Sequence, residues 1–261
     1  MAKTEQLLAR INALAETVKR HDWGLGFLGL GSAGREQSRM DQFSDLDFFV
    51  IVREEAKPAL LENCHWMEEA FPLMWQFRNT DDGYKVLFSD GIYAEFAIFT
   101  PEELRRAVYA PGRFIWRDPS LDPELESPAA GLPDPTPRED TWFIGEILTC
   151  LYVGLARYYR GERLSAMVFI QQHAFSMLLE LIESVENTMV AGGRESSDYD
   201  VFGRDRRLEQ RQPELIPLMK KFLPGYENSV QAAREMLEYM TGKWDLPKPI
   251  VTEIRELLER N

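Results

Sequence analysis

Asp45 and Asp47 stand one residue apart in "SDLDFFVIV" (residues 44–52), directly ahead of an apolar run that reads as a buried strand. Side chains alternate faces along a strand, so these two carboxylates share one face while Leu46, Phe48 and Val50 take the other. Two such groups at a strand end suit a hard cation. Mg²⁺ takes oxygen ligands at short range and leaves room for substrate phosphates. Without a cation the two charges repel, and as solvated residues at a strand end they would also discourage edge pairing. Glu95 bears on that choice, being a lone charge inside the alternating run "IYAEFAIF" on the face of Tyr93, Ala97 and Phe99. An unpartnered buried carboxylate is costly, so Glu95 calls for a metal or a basic neighbour. If its strand lies beside that of Asp45, three carboxylates converge. Such a set can hold one or two Mg²⁺ ions and leave one member as general base.

A glycine-rich turn, "LGLGSAGR" (residues 28–35), precedes the aspartates. Backbone N–H groups of such a turn can cradle a triphosphate, starting at Gly31. The Ser32 hydroxyl can add a hydrogen bond, and Arg35 can neutralise phosphate charge. Gly29, Gly31 and Gly34 also satisfy the GxGxxG pattern of dinucleotide-binding folds. There the acidic residue ends the second strand, whereas here both aspartates precede it, and "REQSRMDQFSD" makes a poor crossover helix. No Gly-Lys-Ser/Thr follows, which excludes a P-loop.

The layout "GSAGREQSRMDQFSDLD" (residues 31–47), followed by a strand carboxylate, resembles the nucleotidyltransferase superfamily of DNA polymerase beta type. Within it, "FSD" ahead of the second carboxylate, the chain length and the helical second half are most similar to the lincosamide nucleotidyltransferases. The aminoglycoside nucleotidyltransferases are more distant. The likeness covers about residues 25–100 and then rests on "RGERLSA" (160–166) and "RDRRLEQRQPEL" (204–215). It implies that Asp45 and Asp47 bind Mg²⁺ and that Glu95 is the base. It further implies ATP or another nucleoside triphosphate as donor, and a homodimer whose site draws on both chains.

Arg194, Arg204, Arg206, Arg207 and Arg211 cluster in the second half. Arginine forks suit triphosphate oxygens, and Arg207 is the candidate for that role. Pairing with Asp198, Asp200, Asp205 and Glu209 is the alternative. His173 sits in a helix beside Gln171 and Gln172 and reads as structural. Tyr152, Tyr158 and Tyr159 suit either an acceptor pocket or core packing.

The elements that must position these groups follow from periodicity. Leu7, Leu8, Ile11, Leu14 and Val18 predict an amphipathic helix over about 4–20, and "WGLGFLGLGS" a first strand. "DLDFFVIV" is the second strand, and "EEAKPALLENCHWMEEAF" reads as one helix with Leu60, Leu61, Cys64 and Met67 inward. "YKVLFSDGIYAEFAIFT" is a hairpin turning at Ser89, Asp90 and Gly91. Thr100, Pro101 and Glu103 spell a capping box opening another helix. Prolines at 119, 123, 128, 133, 135 and 137 mark a linker over 119–138. Long helical patterns follow it, with shorter helices near 213–223, 228–241 and 248–260. The expected architecture is α+β, with a small mixed-sheet domain over 1–118 and an all-α domain over 139–261.

The bulk numbers set the class. Of 261 residues 44% are hydrophobic and 28% charged, a globular composition. No stretch approaches the ~18 uncharged apolar residues of a membrane span, the N-terminus is no signal peptide, and two cysteines are too few for a framework. A cytoplasmic setting without membrane attachment is the expectation. A net charge of −13 disfavours phosphate-backbone binding and suits cationic small molecules. The composite expectation is Mg²⁺-dependent transfer of a nucleoside monophosphate to a hydroxyl of a small, antibiotic-like acceptor such as a lincosamide or aminoglycoside. A silent nucleotide-binding module, or transfer to a protein or RNA hydroxyl, are the alternatives.

Overall fold

The computed structural model of the protein describes residues 3–128, 138–189 and 205–260. The chain divides into two compact units, Met1–Pro135 and Thr136–Asn261. The first is α+β, and the regular elements among the second's described residues are all helices.

The first unit is built on a mixed sheet of β1 (Gly24–Gly29), β2 (Leu46–Val52), β3 (Leu73–Arg78), β4 (Gly83–Phe88), β5 (Tyr93–Phe99) and β6 (Arg113–Arg117). Their order is β3-β4-β5-β2-β1-β6. β2 and β5 run parallel, and the other neighbours pair antiparallel. Helix α1 (Lys3–Arg20) lays Leu7, Ile11, Leu14 and Val18 against one face of the sheet. Phe27, Leu46, Phe48, Val50, Val86, Ala94, Phe96 and Ile98 supply the sheet's side of that core. On the opposite face a smaller cluster of Leu25, Leu28, Ile51, Leu104, Leu121 and Leu125, with Phe49, Phe99 and Phe114 against it, covers only part of the sheet. The alternation in β2 and β5 matches this two-sided burial.

Between β2 and β3 the expected single helix is broken. The chain forms α2 (Lys57–Leu60) and then a 3₁₀ turn at His65–Glu69. The Asn63 side chain accepts from the His65 N–H at 3.1 Å, and Gln76 accepts from the Cys64 N–H. Such local side-chain bonds compete with helix propagation. Helix α3 (Pro101–Arg106) opens with both hydrogen bonds of the Thr100–Glu103 capping box. The stretch expected to start a linker instead packs on the first unit. Pro123 opens a 3₁₀ turn, Pro123–Glu126, under an Asp122 side-chain cap, and Leu121 and Leu125 are buried. Residues 129–137 lie outside the described residues. Proline at the first position of a turn loses no hydrogen bond, so proline density alone did not distinguish the two outcomes.

The second unit contains α4 (Asp140–Tyr159), α5 (Arg163–Met167), a π-helical stretch (Val168–Ala174) and α6 (Phe175–Met189). It continues with α7 (Leu208–Arg211), α8 (Ile216–Phe222), α9 (Ser229–Thr241) and α10 (Lys248–Leu258). One core joins Ile147, Leu151, Leu155, Ile170, Leu178, Leu181, Met236, Met240 and Ile254. The continuous run Arg163–Glu183 is long and apolar enough to cross a membrane by length and composition alone. Here Ile170, Ala174, Leu178 and Leu181 are fully buried in the unit's own core.

Candidate active site

The parallel pairing of β2 with β5 sets Asp47 directly opposite Glu95. Residues opposed in a ladder share a face, so both carboxylates lie on the face that the α1 core does not use. Asp45, one residue ahead of β2, falls on the same face by alternation. All three are half-buried. The end of this face beyond Ile51 and Phe99 is buried under Leu104, Leu121 and Leu125, which leaves the acidic end partly open.

Glu95 has two protein contacts, and both fall on one oxygen. The Tyr93 hydroxyl donates to Oε1 at 2.7 Å, and the Lys85 ammonium lies 3.1 Å from the same atom. Oε2 has no partner among the described residues. Burial, the hydrogen bond to Glu95 and the charges of Glu95, Asp45 and Asp47 together push the Tyr93 phenol up to about 12. Burial is the largest cause, and the three carboxylates add to it.

The glycine turn is fastened to this group. The Leu30 N–H donates to the Asp47 carbonyl at 2.8 Å. The amides of Ala33, Gly34 and Glu36 close back onto Leu30 and Gly31. A Cβ on Gly34 would stand 2.3 Å from the Gly29 carbonyl oxygen, so the turn closes only with hydrogen at that position. Gly31 has φ +47°, a conformation that favours glycine. Among the described residues, the amides of Gly31 and Ser32 and the Ser32 hydroxyl have no protein partner, which leaves three donors for an anion.

Arg35 is held by protein groups. Its Nε donates to the Gly112 carbonyl at 2.6 Å, and its guanidinium reaches Ser127 Oγ at 3.4 Å and Glu126 at 3.5 Å. Arg113 in turn donates to the Gly34 carbonyl at 3.1 Å. Arg35 therefore clasps the turn to residues 112–127, with its guanidinium still about half exposed. Arg207 belongs to the second unit, where it precedes α7 with φ 57°. Arg211 pairs with the buried Glu183 at 3.3 Å. Arg194, Arg204, Asp198 and Asp200 lie outside the described residues. His173 is exposed, with its ring edge on Phe169, and Tyr159 donates to the Leu257 carbonyl at 2.8 Å.

Among the described residues no three His, Cys, Asp or Glu side chains group as a ready metal cage. The arrangement fits an ion held by one or two carboxylates together with water and substrate phosphates, which is the habit of Mg²⁺. Asp45 and Asp47 are the donors of that kind. Glu95, expected also as a ligand, has its charge met by Lys85 at Oε1.

Lys85 and the role of Tyr93 were not read from the sequence. The signal was present in "YKVLF", where Lys85 is the polar member of an alternating strand whose hairpin partner carries Glu95. β3 and β6 were also missed.

No family model matches the chain, and no curated protein matches it. Among solved structures it is similar to an aminoglycoside 6-adenyltransferase from Bacillus subtilis. Identity is 13%, the alignment spans 100% of this chain and 93% of that one, and the TM-score is 0.35. A superposition this loose assigns neither a family nor a reaction, and it lends no support to the lincosamide likeness in particular.

Proposed function

We propose that the first unit transfers a nucleoside monophosphate from a nucleoside triphosphate, ATP in the first instance, to a hydroxyl of a small acceptor. The observation that carries this reading is the Asp47–Glu95 register across β2 and β5, with the unpartnered amides of Gly31 and Ser32 tied to the same strand through Leu30. Gly31 and Ser32 bind the triphosphate through two amides and a hydroxyl. Asp45 and Asp47 would hold Mg²⁺, which when bound neutralises phosphate charge. Glu95 Oε2 accepts the proton of the acceptor hydroxyl, whose oxygen forms a bond to the α-phosphorus as the bond to the pyrophosphate oxygen breaks. Tyr93 and Lys85 keep Glu95 oriented from Oε1. Positioning and charge neutralisation supply most of the rate in such a transfer. A lincosamide- or aminoglycoside-like acceptor, and a homodimer, extend this proposal on the strength of the sequence resemblance.

The Lys85–Glu95 pair favours one other reading, a nucleotide-binding module without turnover, because the ion pair already holds one oxygen of the candidate base. One assay separates the two. The protein is incubated with MgCl₂, α-labelled ATP and a panel of lincosamides, aminoglycosides and proteins, with pyrophosphate release followed. Transfer is expected. Glu95→Gln should lower kcat by roughly 100-fold to 10,000-fold, and Asp47→Asn by on the order of 100-fold or more. Wild-type rates in either variant would sink the assignment. ATP binding by calorimetry without transfer to any acceptor would establish the silent module.

A further inference from the structure

Tyr93 opens β5 two residues ahead of Glu95, on the same face of the strand. Continuing the parallel register of β2 and β5 past Leu46 and Ala94 sets Tyr93 level with Asp45. Its side chain is half-buried at the end of the face that is left partly open. The hydroxyl lies within the field of Asp45 and Asp47 and donates to Glu95 Oε1 at 2.7 Å.

Other tyrosine hydroxyls of the protein are used differently. Tyr84 donates to the Leu61 carbonyl at 2.7 Å, Tyr109 to the Leu125 carbonyl at 2.8 Å and Tyr159 to the Leu257 carbonyl at 2.8 Å. A carbonyl fixes a hydroxyl in place but does not take its proton, whereas a carboxylate can do both. The serine beside the aspartates does not compete for this base, since Ser44 donates to Asp41 Oδ1 at 3.3 Å. Tyr93 and Glu95 thus stand as a nucleophile stands beside its base, with the Lys85 ammonium 3.1 Å from the same carboxylate oxygen as the orienting third group.

We propose that Tyr93 is itself an acceptor, so that the protein nucleotidylates its own phenol when no external hydroxyl is present. This inference rests on the nucleotidyl-transfer reading and names a modification site within it. The Tyr93 oxygen forms a bond to the α-phosphorus of a nucleoside triphosphate held at Gly31 and Ser32. The bond from that phosphorus to the oxygen bridging the β-phosphate breaks, and its electron pair leaves with pyrophosphate. The phenolic proton passes to Glu95 Oε1 and then to water. The product is a tyrosyl phosphodiester carrying one nucleoside monophosphate. It has no hydroxyl left to react, so the modification stops at one group per chain.

The test is intact-mass spectrometry of the full chain after incubation with MgCl₂ and each common ribonucleoside triphosphate in turn, without added acceptor. Fragmentation then locates the label. The expected result is a gain of one nucleoside monophosphate on Tyr93, at a first-order rate independent of protein concentration. Tyr93→Phe should show no gain while binding Mg·ATP like wild type by calorimetry, and Glu95→Gln should label at least tenfold more slowly. A label on any other residue, or a gain that persists in Tyr93→Phe, overturns the proposal. So does wild type labelling Tyr93 of a Glu95→Gln chain mixed with it, which would make the phenol a substrate between copies. The transfer reading is judged apart. Pyrophosphate release with a panel acceptor and no mass gain overturns self-modification alone, while neither gain nor pyrophosphate with any acceptor overturns both.

Discussion

At Glu95 the two protein contacts converge on Oε1, from the Tyr93 hydroxyl at 2.7 Å and the Lys85 ammonium at 3.1 Å. A carboxylate held this way cannot rotate freely, and its second oxygen is aimed by the first. Tyr93 can serve only while it keeps its proton. Its phenol is pushed up to about 12 by burial, by the Glu95 hydrogen bond and by the three carboxylate charges, so the donor persists through any ordinary assay pH. Tyr93→Phe should therefore lower kcat by on the order of tenfold, through loss of orientation. It should also leave the alkaline limb of the pH–rate profile where wild type has it. A wild-type alkaline limb that vanishes in Tyr93→Phe below about pH 11 would show that Tyr93 ionises in the working range, and the orienting role would fall. Tyrosinate absorbance of wild type minus variant checks the same point directly.

The elements explain why these residues are rigid. The turn at Gly29 to Gly34 is closed by contacts too tight for any side chain, with 2.3 Å left for a Cβ at Gly34. Gly34→Ala should cost about 1–3 kcal/mol by overpacking and, on the proposed function, raise the KM for ATP more than that for acceptor, because the displaced groups are the donors proposed for the triphosphate. An unchanged ATP KM would remove the turn from the nucleotide site. On the far side of the sheet, Arg10 is buried between the rings of Phe71 and Phe88 and bonds Asp90 at 2.7 Å. Burial alone would raise Asp90, but the Arg10 hydrogen bond and charge and the Ile92 amide outweigh it and hold the carboxyl below its ordinary value. A depressed folded-state value gives stability that is present above the unfolded carboxyl pKa and is lost as pH falls through the folded one. Denaturation midpoints should fall below about pH 4, and Asp90→Asn should flatten that fall; parallel curves would exclude the pair as its source. Strands β2 and β5 were legible because one face is buried and the other is not, which writes a period of two into the sequence. β3 was not legible, since most of its residues are exposed and alternation carries no message there. The region 54–69 misled because a helical spacing of apolar residues says nothing of Asn63, whose side chain caps the chain midway. The three carboxylates were legible as residues, but their meeting depends on β2 and β5 being neighbours, which spacing alone does not fix.

Over the whole molecule the net charge of −13 sets the field in which an acceptor approaches. Within the candidate site Asp45, Asp47 and Glu95 repeat that sign, and both attract a cation. Attraction of this kind between exposed charges is screened over about 8 Å at physiological ionic strength and over about 3 Å at 1 M. Steering chiefly raises the association rate. A cationic acceptor should therefore show a KM that climbs several-fold between low salt and about 0.5 M salt, with kcat little changed. A neutral acceptor of the same shape should be nearly indifferent. The nucleotide supplies an internal control of opposite sign, since Mg·ATP carries net negative charge and gains from screening. Its KM should hold steady or fall over the same range. The measurement is a set of initial rates at fixed Mg²⁺ with NaCl varied. If acceptor KM proved independent of salt for charged and neutral acceptors alike, the charge would have no part in recognition, and its role would reduce to keeping the chain dispersed.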